Sequence, residues 1–329
     1  AKENLVMKKN LVLVALVLLI GVSAGAQGYV YNPDNNPAGG GGPNSWPFNL
    51  YSAWRYSFIV DASVLPSAPV KITEIAFAPT RTATFVASPF QIRMGHTTHK
   101  AFSTSGMKNF DDILGPCPTV CYNGAMKWAA TANTWSDIGL MAAFGYDGKR
   151  NVCVEIRYNA SGSQGVTSWT GSIPRAYTHT SYSADPYNEP AWRNTDSAAI
   201  KHRITYVKDN IVITDDTQSI GSTAAVNYIN GTAGHTMQLA ASMGQSPLNL
   251  GACKIFLDTD GVFFYSVMTG TPIFNGYAQV LPATGTTYGK LTLPKLPVLI
   301  GLCVFHSGIT HLRGTITGCA NTDGTLITK

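Results

Sequence analysis

Two histidines three positions apart, His96 and His99, form the most ligand-like pair in the chain. On a strand, residues three apart point to opposite faces, so the pair chelates a metal only in a turn. No carboxylate nearby completes a site, and the expected reading is a surface turn with no metal. Asp258-Thr-Asp260-Gly261 has the opening of a calcium loop, but the third acidic position and the distal glutamate are missing, which leaves a β-turn. Asp34, Asn35 and Asn36 read as a solvated loop. Glycoside hydrolysis needs two facing carboxylates, and Glu74, Asp137, Glu155 and Glu189 are the candidates. Glu74 and Glu155 fall inside strand patterns, where an outward, solvated side chain is the ordinary expectation. Past residue 26 the chain has no His-Glu-x-x-His, no Gly-x-Ser-x-Gly and no Gly-x-x-x-x-Gly-Lys. Gly39–Gly42 is followed by Pro43 rather than lysine and reads as a flexible segment. No catalytic residue and no cofactor is expected.

The residues best suited to binding are aromatic. Trp169, Tyr177, Tyr182, Tyr187 and Trp192 lie in a stretch rich in Ser, Thr, Asn and Pro. Flat aromatic faces beside polar groups suit sugar rings. The plainer alternative is that these rings cover a sandwich edge or fill its core.

Six cysteines are present, and an even count in an exported chain permits disulfides. Cys117 and Cys121 are close enough to form a small loop bridge. Among Cys253, Cys303 and Cys319 at most one further bridge is expected, with the pair left open, and Cys153 is unassigned.

The elements that position these residues begin with an export signal. Met7 is followed by Lys8 and Lys9, an apolar run from Leu11 to Val22, and Ser23-Ala24-Gly25-Ala26. That is the order of a cleavable signal peptide, with the cut expected before Gln27. The run is shorter than the roughly 20 residues that span a bilayer, so no membrane span is expected after cleavage. Residues 1–6 fit no part of a signal and read as upstream read-through; Lys2-Glu3 can be encoded by AAGGAG, a bacterial ribosome-binding sequence.

Only 12% of residues are charged, against about 25% in a typical soluble protein. The net charge of +5 is scattered rather than blocked, which excludes nucleic acid as the natural partner. Apolar residues alternate with polar ones around Trp54, Tyr56 and Phe58, around Phe90, Ile92 and Met94, and around Val152, Val154 and Ile156. The alternation shifts phase between Ile72 and Ile75, which predicts a bulge near Thr73–Glu74. Further strands are expected over Thr236–Ala241, Cys253–Leu257, Val262–Val267 and Val298–His306. The predicted fold is all-β: two tandem antiparallel β-sandwiches of jelly-roll or immunoglobulin-like type. A polar lead-in occupies 27–49, the N-terminal sandwich 50–207, a linker 208–221 and the C-terminal sandwich 222–329.

Trp54-Arg55-Tyr56 through Asp61-Ala62-Ser63, Val70–Phe77, Arg93-Met94-Gly95-His96, and Trp135–Ile138 with Phe144–Gly148 and Val152–Tyr158 together resemble a β-sandwich domain of exported bacterial proteins. The residues after 232 resemble the small C-terminal sandwich that accompanies it in planctomycete-type secreted proteins, a largely uncharacterised group. The resemblance implies architecture and an extracytoplasmic address, and carries no catalytic residue with it. The expected function is a non-catalytic structural or adhesive role at the cell envelope or outside the cell, through an extracellular glycan or protein surface. One alternative is a carbohydrate-binding module using Trp169–Trp192; another is a secreted hydrolase with an unrecognised site.

Overall fold

Arg55 and Ser57 alternate with Trp54, Tyr56 and Phe58, and this period of two sets the strand Ala53–Val60 with its aromatic residues on one face. The same rule organises the chain in a computed structural model that describes residues 27–45, 47–48, 52–100, 109–160, 168–172, 178–181, 186–187, 194–196, 198–251, 253–268 and 271–329. The fold is all-β. The export signal and residues 1–6 lie outside the described residues, as do Tyr177, Tyr182, Trp192 and Glu189.

In the N-terminal half, one antiparallel sheet runs in the order Gln27–Asn32, His202–Val207, Val70–Phe77, Ser136–Tyr146. A second runs Asn194–Asp196, Thr178–Ser181, Ala53–Val60, Asn151–Asn159, Ala83–Thr97, Thr119–Ala130. Their inner faces share one core, in which Ile72, Ile75 and Phe77 meet Trp54, Phe58 and Ile156. The predicted phase change is a bulge: Thr205 faces Glu74 and Tyr206 faces Ile72, leaving Thr73 without an opposite residue. The expected polar lead-in is part of this half. Its first strand supplies Val30 to the core, and Phe48 sits fully buried with its ring 5.1 Å from Phe77 and 4.8 Å from Trp128.

The C-terminal half has a sheet ordered Ile211–Ile213, Thr223–Ile229, Thr287–Thr292, Phe274–Asn275. A larger one is ordered Thr217–Ser219, Asp323–Thr328, Cys303–Leu312, Thr236–Ser242, Ala278–Val280. Val226, Leu239, Tyr277 and Leu291 belong to its core. The segment expected as a linker, 208–221, is itself sheet. Ile211–Ile213 pairs with Thr223–Ile229, and Thr217–Ser219 adds a parallel edge to Asp323–Thr328. Its polarity follows from that edge position, where Thr217 and Ser219 face solvent and Gln218 turns inward to donate to the carbonyls of Ser222 and Leu291. Val262–Val267, expected as a strand, lies in the short helix Gly261–Val267. Asp260 caps it, its carboxylate accepting from the Phe263 amide at 2.8 Å.

The halves interlock. Lys71 reaches out of the first sheet to donate to Asp209 and to the carbonyl of Cys319, both at 2.7 Å. Gln245 accepts from the Val120 amide and donates to the Pro118 carbonyl. Gly145 leaves room for Asn321, whose Nδ2 occupies the space that a Cβ would take. Cys117 is bonded to Cys303, with Cα atoms 6.0 Å apart, so the expected Cys117–Cys121 loop bridge does not form. Cys121 is a buried thiol on the strand Thr119–Ala130, in the core of the first half, while Cys117 lies before that strand and faces the other half. Cys253 pairs with Cys319, and Cys153 is a buried thiol.

Candidate functional site

Alternation that sends one set of side chains inward sends the other set onto two outer faces, one per sheet of the N-terminal half. On the first sheet the cross-strand register aligns two outer rows: Tyr31, Arg203, Ala76 and Asp137, and beside them Tyr29, Thr205, Glu74 and Gly139. Trp135, just before the last strand, joins them. Its ring lies 5.5 Å from Tyr31, which lies 6.1 Å from Tyr29, and its indole N–H donates to the Asn35 carbonyl. Arg203 is ion-paired to Asp137 and places its guanidinium 4.8 Å from the Tyr29 ring. Tyr29 is 43% exposed, and nothing stands within 4 Å of the Cβ position of Gly139. The face therefore offers contiguous rings for apolar stacking and the carboxylates of Glu74 and Asp137, which accept from hydroxyl groups.

The outer face of the second sheet is charged and largely covered. Arg93 stands opposite Glu155, and Arg157 stands opposite both Gln91 and Arg55. Glu155, expected to be solvated, is fully buried. Burial is tolerable because Arg55 Nε donates to one carboxylate oxygen and Arg93 Nε to the other, each at 2.8 Å. Asp111, on the short helix Phe110–Leu114, takes a second bond from each arginine at 2.9 and 2.8 Å. The Phe110 ring lies against the Arg55 guanidinium at 4.3 Å. Arg157 is the third cation of this face. Its Nε donates to Gln91 Oε1 at 2.8 Å, its Nη1 reaches the Tyr187 carbonyl at 3.4 Å, and its plane lies 4.7 Å from the Tyr187 ring centroid. Burial and the neighbouring Arg93, partly offset by Glu155, bring its pKa down to about 10.

The sequence candidates are therefore distributed rather than gathered. Glu74 and Asp137 share the first outer face, and Glu155 is locked in the second. Trp169 pairs with Pro43 in a separate small sheet and donates its indole N–H to Asn133, while Tyr187 stacks on Arg157. Alternation alone could have found Tyr29 and Tyr31, which share one face of the first strand; their partner Trp135 lies too far away in sequence to suggest itself.

His96 is not in a surface turn. It is buried in the strand Ala83–Thr97, with its ring 4.9 Å from Phe144 and its Nε2 accepting from the Asp147 amide. His99 lies beyond the strand end, and no cluster of metal ligands exists among the described residues. Asp260 is occupied as a helix cap and by the Met243 amide, which corrects the β-turn expected at 258–261.

Burial holds His96 and His202 at a pKa of about 4 and His306 at about 3, against 6.5 in the unfolded chain. Each imidazole contributes stability above pH 6.5 that is lost as the pH falls through 4, because the unfolded chain takes up the proton first. Asp323 has the opposite sign. Burial pushes it up to about 7 from 3.8, although it accepts from the Thr214 and Gly324 amides, so its contribution is lost as the pH rises through 7. Three imidazoles outweigh one carboxyl, and urea midpoints should fall between pH 6.5 and 4. In Asp323→Asn that acid loss should steepen, since the opposing group is gone; an unchanged profile would mean that Asp323 titrates normally.

Among the described residues no helix is long and apolar enough to cross a membrane. No protein-family model matches the chain, and no curated protein matches it.

Proposed function

We propose that this is an exported, non-catalytic protein of two tandem β-sandwiches, acting as an adhesive or structural element through contact with an extracellular glycan. The observation that carries the reading is the outer face of the first sheet, where Tyr29, Tyr31 and Trp135 run together beside Glu74, Asp137 and Arg203. Stacking rings with flanking hydrogen-bonding groups are what a sugar requires. The address outside the cytoplasm is supported by the signal-like N-terminus, by the two disulfides and by the resemblance to planctomycete-type secreted proteins. The non-catalytic reading is supported by what the reactive groups already do. Glu155 is ion-paired with two arginines, Asp260 caps a helix and His96 is packed against Phe144.

The test is a glycan array with secreted protein whose N-terminus has been read by mass spectrometry. The expected result is material beginning at Gln27 that retains neutral oligosaccharides, with Tyr29→Ala and Trp135→Ala each weakening retention about tenfold, or ~1.4 kcal/mol. A silent array with no retention on the cell surface would overturn the adhesive reading. Turnover of a glycoside would replace it with the hydrolase.

A further inference from the structure

We propose that Arg157 binds an oxyanion carried by a sugar, a carboxylate or a sulfate ester, on the outer face of the second sheet. The sugar half of this assignment rests on the glycan reading above; the oxyanion half does not.

Three guanidiniums, Arg55, Arg93 and Arg157, share two carboxylates, Glu155 and Asp111. Both carboxylates are engaged by the inner two arginines. Glu155 gives one oxygen to each, and Asp111 accepts from both at one oxygen. Among the described residues Arg157 is left half-buried with only neutral acceptors, the Gln91 amide and the Tyr187 carbonyl, and no acceptor is bonded to Nη2. A guanidinium withdrawn from water without a counter-ion is costly unless an anion completes it.

The fork is also held in place. Gln91 fixes Nε, and Gln91 is itself bonded to Asn123 at 3.3 Å. The Tyr187 ring fixes the guanidinium plane. The edge carrying the two Nη groups is the one that grips a planar or tetrahedral oxyanion through paired N–H···O bonds. Around it stand an aromatic ring and two side-chain amides, which suit a polar, otherwise uncharged scaffold such as a sugar. An acidic peptide would bring repeated negative charge close to Glu155 and Asp111. The first and second sheets face opposite ways, so this site and the aromatic rows would let one sandwich touch two partners.

The mature protein is titrated at low ionic strength with a galacturonate tetrasaccharide, a sulfated tetrasaccharide, a neutral tetrasaccharide and tetraglutamate. At least one acidic sugar should bind, and Arg157→Gln should weaken it about tenfold or more. Arg157→Lys, which keeps the charge and loses the fork, should fall between wild type and Arg157→Gln, and Lys149→Gln should leave acidic-sugar binding unchanged. Acidic-sugar binding that survives Arg157→Gln would overturn the assignment, as would tetraglutamate binding as tightly as either sugar, or no acidic ligand binding. Neutral-sugar binding lost in Tyr29→Ala and kept in Arg157→Gln belongs to the aromatic face, so the two readings fail separately.

Discussion

Glu155→Gln should destabilise the N-terminal half by about 3–5 kcal/mol, the range for removing one partner of a buried ion pair. The side chain of Glu155 is fully buried and that of Arg55 is 2% exposed, so neither guanidinium can recover its lost partner from water without opening the face. The change is isosteric, so it creates no cavity, and the loss is electrostatic. Denaturant unfolding followed by the fluorescence of Trp54 and Trp128, both in that core, reads it directly. Asp111→Asn is the comparison. That carboxylate is 59% exposed, and its loss should cost less than about 1 kcal/mol. Replacing Arg55, Glu155 and Arg93 together by apolar residues of similar volume should be close to neutral, because desolvation of all three charges disappears with them. A Glu155→Gln protein with an unchanged midpoint would mean that Asp111 alone suffices to hold both arginines.

Cleavage between the halves should not release them. Lys208 is exposed just before the C-terminal sheets begin, and trypsin should nick there. The Cys117–Cys303 bond spans the nick, so in a denaturing gel the two pieces should migrate as one species until a reductant is added. In the intact chain the bond closes a sequence separation of 186 residues, and removing it as Cys117→Ala with Cys303→Ala should cost about 2–5 kcal/mol. The polar joint through Lys71, Gln245 and Asn321 remains in that variant, so the halves should stay docked while unfolding at lower denaturant. Separation of the nicked pieces without reductant would show that Cys117 is bonded elsewhere, for which Cys121 is the nearest candidate in sequence.

Period-two alternation made the strands legible, and a slip in that alternation made the bulge at Thr73 legible, because both are written within a few residues. What escaped was set by partners far apart in the chain. Glu155 looks like any outward strand glutamate until Arg55 and Arg93 are brought beside it from two other strands. Cys121 is the obvious mate for Cys117 by spacing, yet the strand carries it into the core. The polar run 215–219 has a linker's composition, and only its pairing with Leu326, Ile327 and Thr328 makes it a sheet edge. Val262–Val267 is apolar enough for a strand, and the Asp260 cap turns it into a helix. The aromatic row escaped for a related reason: Trp169–Trp192 is conspicuous as a local cluster in sequence, whereas Tyr29 and Tyr31 meet Trp135 only in the folded sheet.

Among the described residues the first strand closes against the last strand of its own half, with Gln27 opposite Val207. On the export reading, Gln27 emerges on the far side of the membrane first and must wait, unpaired, for nearly the whole half to follow it. A sheet whose edge is completed by such distant contacts forms slowly, and the waiting strand is open to pairing with a neighbouring chain. If the chain is exported, a chaperone that covers this strand should raise the yield of folded protein.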